Sequence, residues 1–191
     1  FFSGAMGLDL GFERAGLPAH LCVEINPKCC ETIRLNRPDI ILIPRDITEL
    51  DGKMLKEISG DNEVDLIVGG PPCQSFSTGG NRIGLSDPRG NLIYEDLRII
   101  NDVRPRYFVL ENVANLVTAA ITHRPIDKRP GKKWNLSAYS NNSVNCGGDA
   151  PPLKPDEMSG TVIRKLLRDI REIGYTINFG ILDSAEYGAP Q

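Results

Sequence analysis

The stretch VDLIVGGPPC, residues 64–73, predicts a buried strand that ends on a thiol. Its first five residues are almost continuously apolar, which is typical of a strand covered on both faces in a parallel sheet. Two glycines and two prolines then end the strand abruptly and place Cys73 on the stiff segment that follows. Ligands of open α/β sheets bind at the carboxyl ends of the strands, so we expect Cys73 to lie at a functional site.

Strand and helix patterns alternate on both sides of this stretch. Strands are predicted over residues 1–2, 21–25, 40–44, 64–70 and 106–113. Helices are predicted over residues 8–15, 27–36, 55–58, 91–103 and 159–174. Residues 175–188 alternate in polarity, which predicts a late pair of strands. The alternation favours a single α/β domain over residues 1–191, with a doubly wound, mostly parallel sheet.

Residues 118–158 interrupt this pattern with a polar segment rich in proline, glycine and asparagine. Structureless loops of this length are rare inside compact domains, so we interpret the segment as an irregular insertion or mobile loop. Its basic run, Arg124 to Lys133, could contact phosphate, but a solvated loop is the favoured interpretation.

The composition excludes several classes of protein. The 191 residues are 40% hydrophobic and carry a net charge of −3, which suits one compact domain and indicates no bulk attraction to nucleic acid. The five cysteines include no C-x-x-C pair, so neither a zinc site nor a disulfide framework is expected. A reducing, cytoplasmic setting is predicted, and we expect Cys22, Cys29 and Cys30 to be ordinary core or near-core residues.

Glycine turns, carboxylates and the thiol follow the predicted strands at one edge of the sheet. The glycines at 4, 7 and 11 do not spell G-x-G-x-x-G, and no Lys-Ser/Thr follows them, which disfavours a dinucleotide or P-loop site. Glu24 lies 20 residues after Gly4, a spacing at which an acid can bind ribose hydroxyls. An adenosine ligand without a pyrophosphate fits best, and S-adenosylmethionine has a ribose for Glu24 and an adenine for Asp46 and Ile47. An ordinary tight turn and a solvated acid are the alternatives.

Two further residues have the chemistry of an active site. A thiol with the usual pKa of about 8.5 needs a helpful environment to act as a nucleophile, and the GGPPC context of Cys73 favours that role over an inert buried thiol. Glu111 ends an apolar strand, where partial desolvation would raise its pKa and let it hold or give a proton. The alternative for Glu111 is a structural hydrogen bond to a neighbouring loop.

These residues, in this order, resemble the cytosine-C5 DNA methyltransferases. FFSGAMGLDLGFERAG resembles the cofactor-binding opening of that family, VEINPKCCETIRLN its second motif and RDITEL its third. GGPPCQSFS resembles the catalytic loop, DPRGNLIYEDLRII the helix after it, and PRYFVLENV the glutamate motif. GILDSAEYGAPQ resembles the start of a motif that continues to supply arginines.

The resemblance implies a Rossmann-like methyltransferase fold, S-adenosylmethionine as cofactor and no metal. Cys73 would attack C6 of a flipped-out cytosine in double-stranded DNA, Glu111 would contact N3 and the exocyclic amine, and Asn112 would hold the Pro72-Cys73 turn. The cofactor would be lined by Phe2, Ser3, Gly4, Met6, Gly7, Glu24, Ile25, Asp46, Ile47, Gly70, Pro72 and Leu92. A loop over residues 74–90 would close on DNA, with contacts from Gln74, Ser75, Ser77, Arg82 and Arg89.

The sequence departs from the family pattern after Gln191. The arginines and the target-recognition domain expected there are absent, so this chain by itself is expected to bind cofactor weakly and to methylate nothing detectable. A cognate restriction endonuclease is an expected functional partner. The alternatives are a tRNA cytosine methyltransferase of the same family, a non-catalytic or split-enzyme subunit, and a nucleotide-dependent oxidoreductase.

Overall fold

A computed structural model of the chain describes residues 1–61, 63–72, 92–122 and 153–189. The strands are β1 (Leu21–Val23), β2 (Ile41–Ile43), β3 (Leu66–Gly69) and β4 (Tyr107–Leu110). The α-helices are α1 (Gly7–Arg14), α2 (Pro27–Asn36), α3 (Gly52–Ser59), α4 (Leu92–Val103) and α5 (Thr161–Glu172). Short 3₁₀ helices cover Ile47–Glu49, Ala114–Val117, Pro155–Glu157 and Ser184–Tyr187. The described residues form two compact units, the first ending at Asn112 and the second beginning at Val113.

The strands of the first unit form two parallel pairs. β1 lies beside β2 with Leu21 opposite Ile41, and β3 lies beside β4 with Leu66 opposite Tyr107. The connection within each pair contains a helix, α2 in one and α4 in the other, as parallel strands require. The predicted parallel α/β arrangement is therefore present.

The first three residues lie between the two pairs. The backbone nitrogen of Phe1 donates to the carbonyl of Val68 at 2.5 Å, and the Phe1 carbonyl accepts from Gly70 at 3.3 Å. On the other side, the amide of Ser3 donates to the carbonyl of Val23 at 3.4 Å. Residues 1–3 thus occupy the place of the predicted first strand, although their pairing is too short to form a regular one. The spatial order reverses at this segment, which makes it the topological switch point.

Local sequence explains where the helices of the first unit begin. Asn26 accepts hydrogen bonds from the amides of Lys28 and Cys29 at 2.9 and 3.4 Å, and Pro27 takes the first helical position of α2. Asp51 caps α3 in the same way through the amide of Met54 at 2.8 Å. The helices then bury apolar side chains, including Cys30, Ile33, Leu55, Leu97, Ile99 and Ile100.

In the second unit, α5 packs near the 3₁₀ helix Ala114–Val117. The amide of Val162 donates to the carbonyl of Ala119 at 3.2 Å, and the hydroxyl of Thr161 accepts from the amide of Ile121 at 3.0 Å. Val162, Leu166 and Ile170 form the buried face of α5. Within the predicted insertion, only residues 118–122 and 153–158 are described, and the remainder lies outside the described residues.

The late pair of strands predicted over residues 175–188 was wrong for the described residues of that segment. No strand is assigned there, and Ser184–Tyr187 forms a 3₁₀ helix that begins at Asp183, whose carboxylate accepts from the amide of Ala185 at 3.0 Å. Phe179 and Ile181 alternate with polar residues as a strand would, yet both are exposed. Alternation makes a strand only where a partner edge supplies hydrogen bonds, and no described residue supplies one here.

Within the described ranges, no helix combines the length and the hydropathy that a membrane crossing requires. The same residues contain no cluster of three or more metal-ligating side chains.

Candidate functional site

The turn over residues 2–7 has an unusual backbone at the switch point. Phe2, Gly4 and Met6 have positive φ angles of 55°, 53° and 66°, and two of the three are not glycine. Such conformations cost free energy in residues with a Cβ and are concentrated at functional sites. Met6 is held by its buried side chain and by a hydrogen bond from its amide to the Ser3 carbonyl at 2.7 Å. Side chains added at Gly4 or Gly7 would meet no atom within 4 Å, so the turn faces open space.

Glu24 connects this turn to the start of α2. Its Oε2 accepts a hydrogen bond from the amide of Gly4 at 2.7 Å, and its Oε1 accepts one from the amide of Asn26 at 2.7 Å. The residue is only 8% exposed. Each carboxylate oxygen can accept more than one hydrogen bond, so Glu24 remains able to bind a hydroxyl pair while it holds the turn. The neighbouring Ile25 is 60% exposed, which leaves an apolar surface beside this carboxylate.

The turn after β2 carries the next two predicted residues. Oδ1 of Asp46 accepts from both the amide and the hydroxyl of Thr48, at 3.0 and 2.8 Å, and so caps the 3₁₀ helix Ile47–Glu49. The side chain of Ile47 is buried. Oδ2 of Asp46 accepts no hydrogen bond from the described residues, and Asp46 is only half-buried. This oxygen can therefore accept a bond from a ligand amine.

The ends of β3 and β4 are tied together. The amide of Glu111 donates to the carbonyl of Gly69 at 2.8 Å, and Nδ2 of Asn112 donates to the carbonyl of Pro71 at 3.1 Å. The second bond fixes the segment that leads to Cys73. The side chain of Glu111 is exposed in the described structure, whereas partial desolvation was expected. The reason is that side chains alternate along β4 between more and less exposed positions, and Glu111 continues the exposed set.

Asp96 is a buried acid that sequence analysis missed. It is 0% exposed, and neither carboxylate oxygen has a hydrogen-bond partner among the described residues. A Cβ placed on Gly69 would lie 1.9 Å from Oδ2 of Asp96, so this acid occupies the space that only a glycine leaves free. Burial raises the pKa of Asp96 to about 6. The available signal was an acid within the apolar helical pattern formed by Ile93, Leu97 and Ile100.

Arg98 is a second missed residue, and it joins α4 to the turn after β2. Its Nη2 donates to the carbonyls of Ile47 and Leu50 at 3.1 and 2.9 Å. Its Nε donates to Oε2 of Glu95 at 2.8 Å. These partners lie up to 51 residues away in sequence, so no local pattern indicated them.

Two of the three described cysteines, Cys22 and Cys30, are not candidates for the nucleophile. Cys22 and Cys30 are 1% exposed, and burial raises the pKa of Cys22 to about 11 and also raises the pKa of Cys30. Both thiols are therefore neutral near pH 7, and Cys30 uses its Sγ–H to bond the carbonyl of Glu24 at 3.2 Å.

The structure brings most predicted cofactor residues to the carboxyl edge of the strands. The hydrogen bond from Gly4 to Glu24 joins the turn over residues 2–7 to residues 24–25, and Asp46 and Ile47 follow the adjacent strand β2. Gly70, Pro72, Glu111 and Asn112 follow β3 and β4, while Leu92 is the first residue of α4. The predicted nucleophile and loop contacts lie outside the described residues: Cys73, Gln74, Ser75, Ser77, Arg82 and Arg89.

Comparison with known proteins decides the family. Residues 1–124 match the C-5 cytosine-specific DNA methylases. The chain belongs to this family. The membership confirms the resemblance inferred from the GGPPCQSFS and ENV segments.

Curated relatives are similar along the whole chain. It is 36% identical to the Type II methyltransferase M.AquIA of Picosynechococcus sp., with 100% of this chain and 65% of the relative covered. It is 34% identical to M1.HphI of Haemophilus parahaemolyticus and 32% identical to M.FnuDI of Fusobacterium nucleatum. In those two comparisons the whole chain aligns with 41% and 42% of the relative. The chain thus spans between about two fifths and two thirds of the length of these relatives.

A solved structure agrees on the fold. A DNA modification methyltransferase assigned to an Escherichia coli prophage superposes with a TM-score of 0.51 at 33% identity, covering 60% of this chain and 31% of that one. Together with the parallel strand pairs, this likeness confirms the predicted Rossmann-like methyltransferase fold.

Proposed function

We propose that this chain is the cofactor-binding and catalytic part of a DNA (cytosine-5-)-methyltransferase that uses S-adenosylmethionine. The observation that carries the proposal is the Glu24-braced glycine turn at the switch point of a chain that belongs to this family. A cofactor in an open α/β sheet binds at this point.

The described residues fit the cofactor. Glu24 has free lone pairs for the ribose hydroxyls, the open Oδ2 of Asp46 suits the adenine amine, and Ile25 offers an apolar surface for the ring. The space above Gly4 and Gly7 suits the methionine end. Other proposed contacts at the methionine end are Phe2, Ser3, Met6, Gly70, Pro72 and Leu92, and Ile47 is proposed to contact the adenine. When bound, S-adenosylmethionine would supply an electrophilic methyl group.

The chain's own residues would activate the cytosine. The Cys73 thiolate would form a bond to C6, while Glu111 would hold a proton at N3, so that the ring itself can take up the electron pair that the attack pushes into it. C5 then becomes nucleophilic and gains the methyl group, whose bond to the cofactor sulfur breaks and leaves S-adenosylhomocysteine. Loss of the C5 proton and breakage of the bond from sulfur to C6 would restore the aromatic ring and the free thiolate. Asn112 would support this chemistry by fixing the Pro71 carbonyl.

Access to the base requires that the cytosine leave the duplex. DNA methyltransferases in general rotate the target base out of the helix in this way. Residues 74–90 are proposed to close over the DNA, with contacts from Gln74, Ser75, Ser77, Arg82 and Arg89. Since the relatives are named Type II methyltransferases, we propose a modification role beside a restriction endonuclease, with no direct contact implied.

A trapping experiment tests the proposal. The full-length protein and its Cys73→Ala variant are incubated with S-adenosylmethionine and double-stranded DNA that contains 5-fluorocytosine, which blocks loss of the C5 substituent. We expect a denaturation-resistant adduct with the unmodified protein and none with Cys73→Ala. Cys22→Ala serves as the control, because its neutral buried thiol predicts unchanged trapping. Absence of an adduct on DNA, with an adduct on fluorinated RNA, would contradict the DNA assignment; absence of both would contradict the activity.

A further inference from the structure

The guanidinium of Arg98 fastens the turn after β2 to helix α4. One nitrogen, Nη2, donates to the carbonyls of Ile47 and Leu50, at 3.1 and 2.9 Å. The side chain therefore reaches across from the middle of α4 to both ends of the short segment that follows Asp46. Both Ile47 and Leu50 have buried side chains, which keeps these carbonyls close to the protein interior.

The Leu50 carbonyl lies at the C-terminal end of the 3₁₀ helix, where a donor is needed. The last carbonyls of any helix have no partner within it, and a cation is favourable there because it also faces the negative end of the helix dipole. The Ile47 carbonyl already accepts from the amide of Leu50 at 3.2 Å, and Arg98 adds a second, charged donor. The turn is thus capped at both ends, by Asp46 at its start and by Arg98 at its finish.

Two acids orient the guanidinium. Nε donates to Oε2 of Glu95 at 2.8 Å, and Nη1 lies 3.6 Å from Oδ2 of Asp102. Glu95 and Asp102 stand one turn before and one turn after Arg98 on the same helix. A planar guanidinium can satisfy partners in three directions at once, whereas the compact ammonium of a lysine cannot.

We propose that Arg98 is a positioning residue for S-adenosylmethionine, acting through the Asp46–Ile47 turn without contacting the ligand. This inference rests on the proposed function. Leu92, at the start of α4, is proposed to line the methionine end, and Asp46 to bind the adenine. By holding the turn on α4, Arg98 sets the distance between the two ends of the cofactor site.

Cofactor affinity tests the inference in the full-length protein. Arg98→Met should weaken S-adenosylmethionine binding, measured by titration calorimetry, by about tenfold, since charged hydrogen bonds are among the stronger ones. Binding of DNA and kcat at saturating cofactor should change less than about twofold. Arg98→Lys should not restore the affinity, because an ammonium cannot span both carbonyls and Glu95. Arg168→Met, which removes an exposed arginine from α5, is the matched control and should bind as the unmodified protein does.

A second variant covers the case in which Arg98→Met fails to fold. Glu95→Gln keeps the arginine and removes the charge that orients Nε, so a loss of about threefold in cofactor affinity is expected. When Glu95→Gln is combined with Asp46→Asn, the two losses of cofactor affinity should not add, because both substitutions act on the same turn. Unchanged affinity of Arg98→Met for S-adenosylmethionine, or equal weakening of DNA binding and cofactor binding, would overturn this inference and leave the proposed function standing. An unmodified protein that binds no S-adenosylmethionine would overturn the inference together with the proposed function.

Discussion

Oε2 of Glu24 accepts a hydrogen bond from the amide nitrogen of Gly4 at 2.7 Å, across 20 residues of sequence. The acid predicted to bind a ribose therefore also builds the turn on which the rest of the ligand would lie. The other oxygen bonds the amide of Asn26 at 2.7 Å and so fixes the start of α2. Ligand binding and local structure depend on the same carboxylate, and substitution there should affect both.

Glu24→Gln should weaken S-adenosylmethionine binding by more than tenfold and lower the free energy of unfolding by about 1–3 kcal/mol. The amide side chain can accept one of the two backbone bonds, but its NH₂ group faces the other amide donor. Calorimetric titration and urea unfolding measure the two effects. Glu31→Gln, on the exposed face of α2, is the control and should change neither. Normal cofactor affinity in Glu24→Gln would argue against the ribose role.

Gly69→Ala should destabilise the protein by about 1–3 kcal/mol, because the new Cβ would overlap Oδ2 of Asp96 at 1.9 Å. Gly11→Ala is the matched control. Its Cβ would meet nothing within 4 Å, and helix propensity predicts a small gain in stability. Adding Asp96→Ala to Gly69→Ala should recover part of the loss by removing the clashing atoms. Equal stability of Gly69→Ala and the unmodified chain would refute this packing.

Asp96 should make stability depend on pH. Its pKa in the folded chain is about 6, above the model-compound value of 3.8, so the folded state holds the proton more tightly than the unfolded state. The resulting stabilisation is complete below about pH 4 and is lost as the pH rises through 6, by an amount on the order of 3 kcal/mol.

Urea unfolding of the unmodified chain and of Asp96→Asn at several values between pH 4 and 7 isolates this effect, since the other carboxylates titrate in both. We expect the difference in unfolding free energy between them to shift in favour of Asp96→Asn as the pH rises. A difference that stays constant over this range would show that Asp96 does not titrate near pH 6.

Asn112→Asp should lower kcat by about tenfold while leaving the affinity for S-adenosylmethionine within about twofold. The substitution exchanges the amide donor for an acceptor facing the Pro71 carbonyl, which would release the segment that leads to Cys73. Single-turnover methylation of DNA and calorimetric titration of cofactor give the two quantities. Asn36→Asp, at the end of α2, is the control. Loss of cofactor affinity in place of kcat would assign Asn112 to the cofactor site.

Local patterns were sufficient where the causes of structure are local. Helix α2 begins at the predicted Pro27 and ends at the predicted Asn36, because its capping residue and its apolar spacing lie within the helix itself. The four strands β1 to β4 fall inside the predicted runs for a similar reason, since continuous apolar stretches are buried in a parallel sheet. Because parallel strands have their carboxyl ends at one edge of the sheet, the strand predictions also placed Glu24 and Asp46 at that edge.

Burial and partners were not predictable in the same way. Glu111 was expected to be partly desolvated and is exposed, since it continues the more exposed set of alternating side chains of β4. The alternating residues 175–188 were expected to form a pair of strands, but strand pairing needs an edge from elsewhere in the chain.

Sequence alone determined the order of strands and helices, the chemical groups at the strand ends and the family to which they point. Tertiary structure decided which distant groups meet: residues 1–3 between β1 and β3, Oδ2 of Asp96 against Gly69, and Arg98 on the carbonyls of Ile47 and Leu50. Periodicity and capping act over a few residues and can be predicted from the local sequence. Contacts across 48 or 51 residues depend on how the elements pack, because only packing brings those atoms within hydrogen-bond distance.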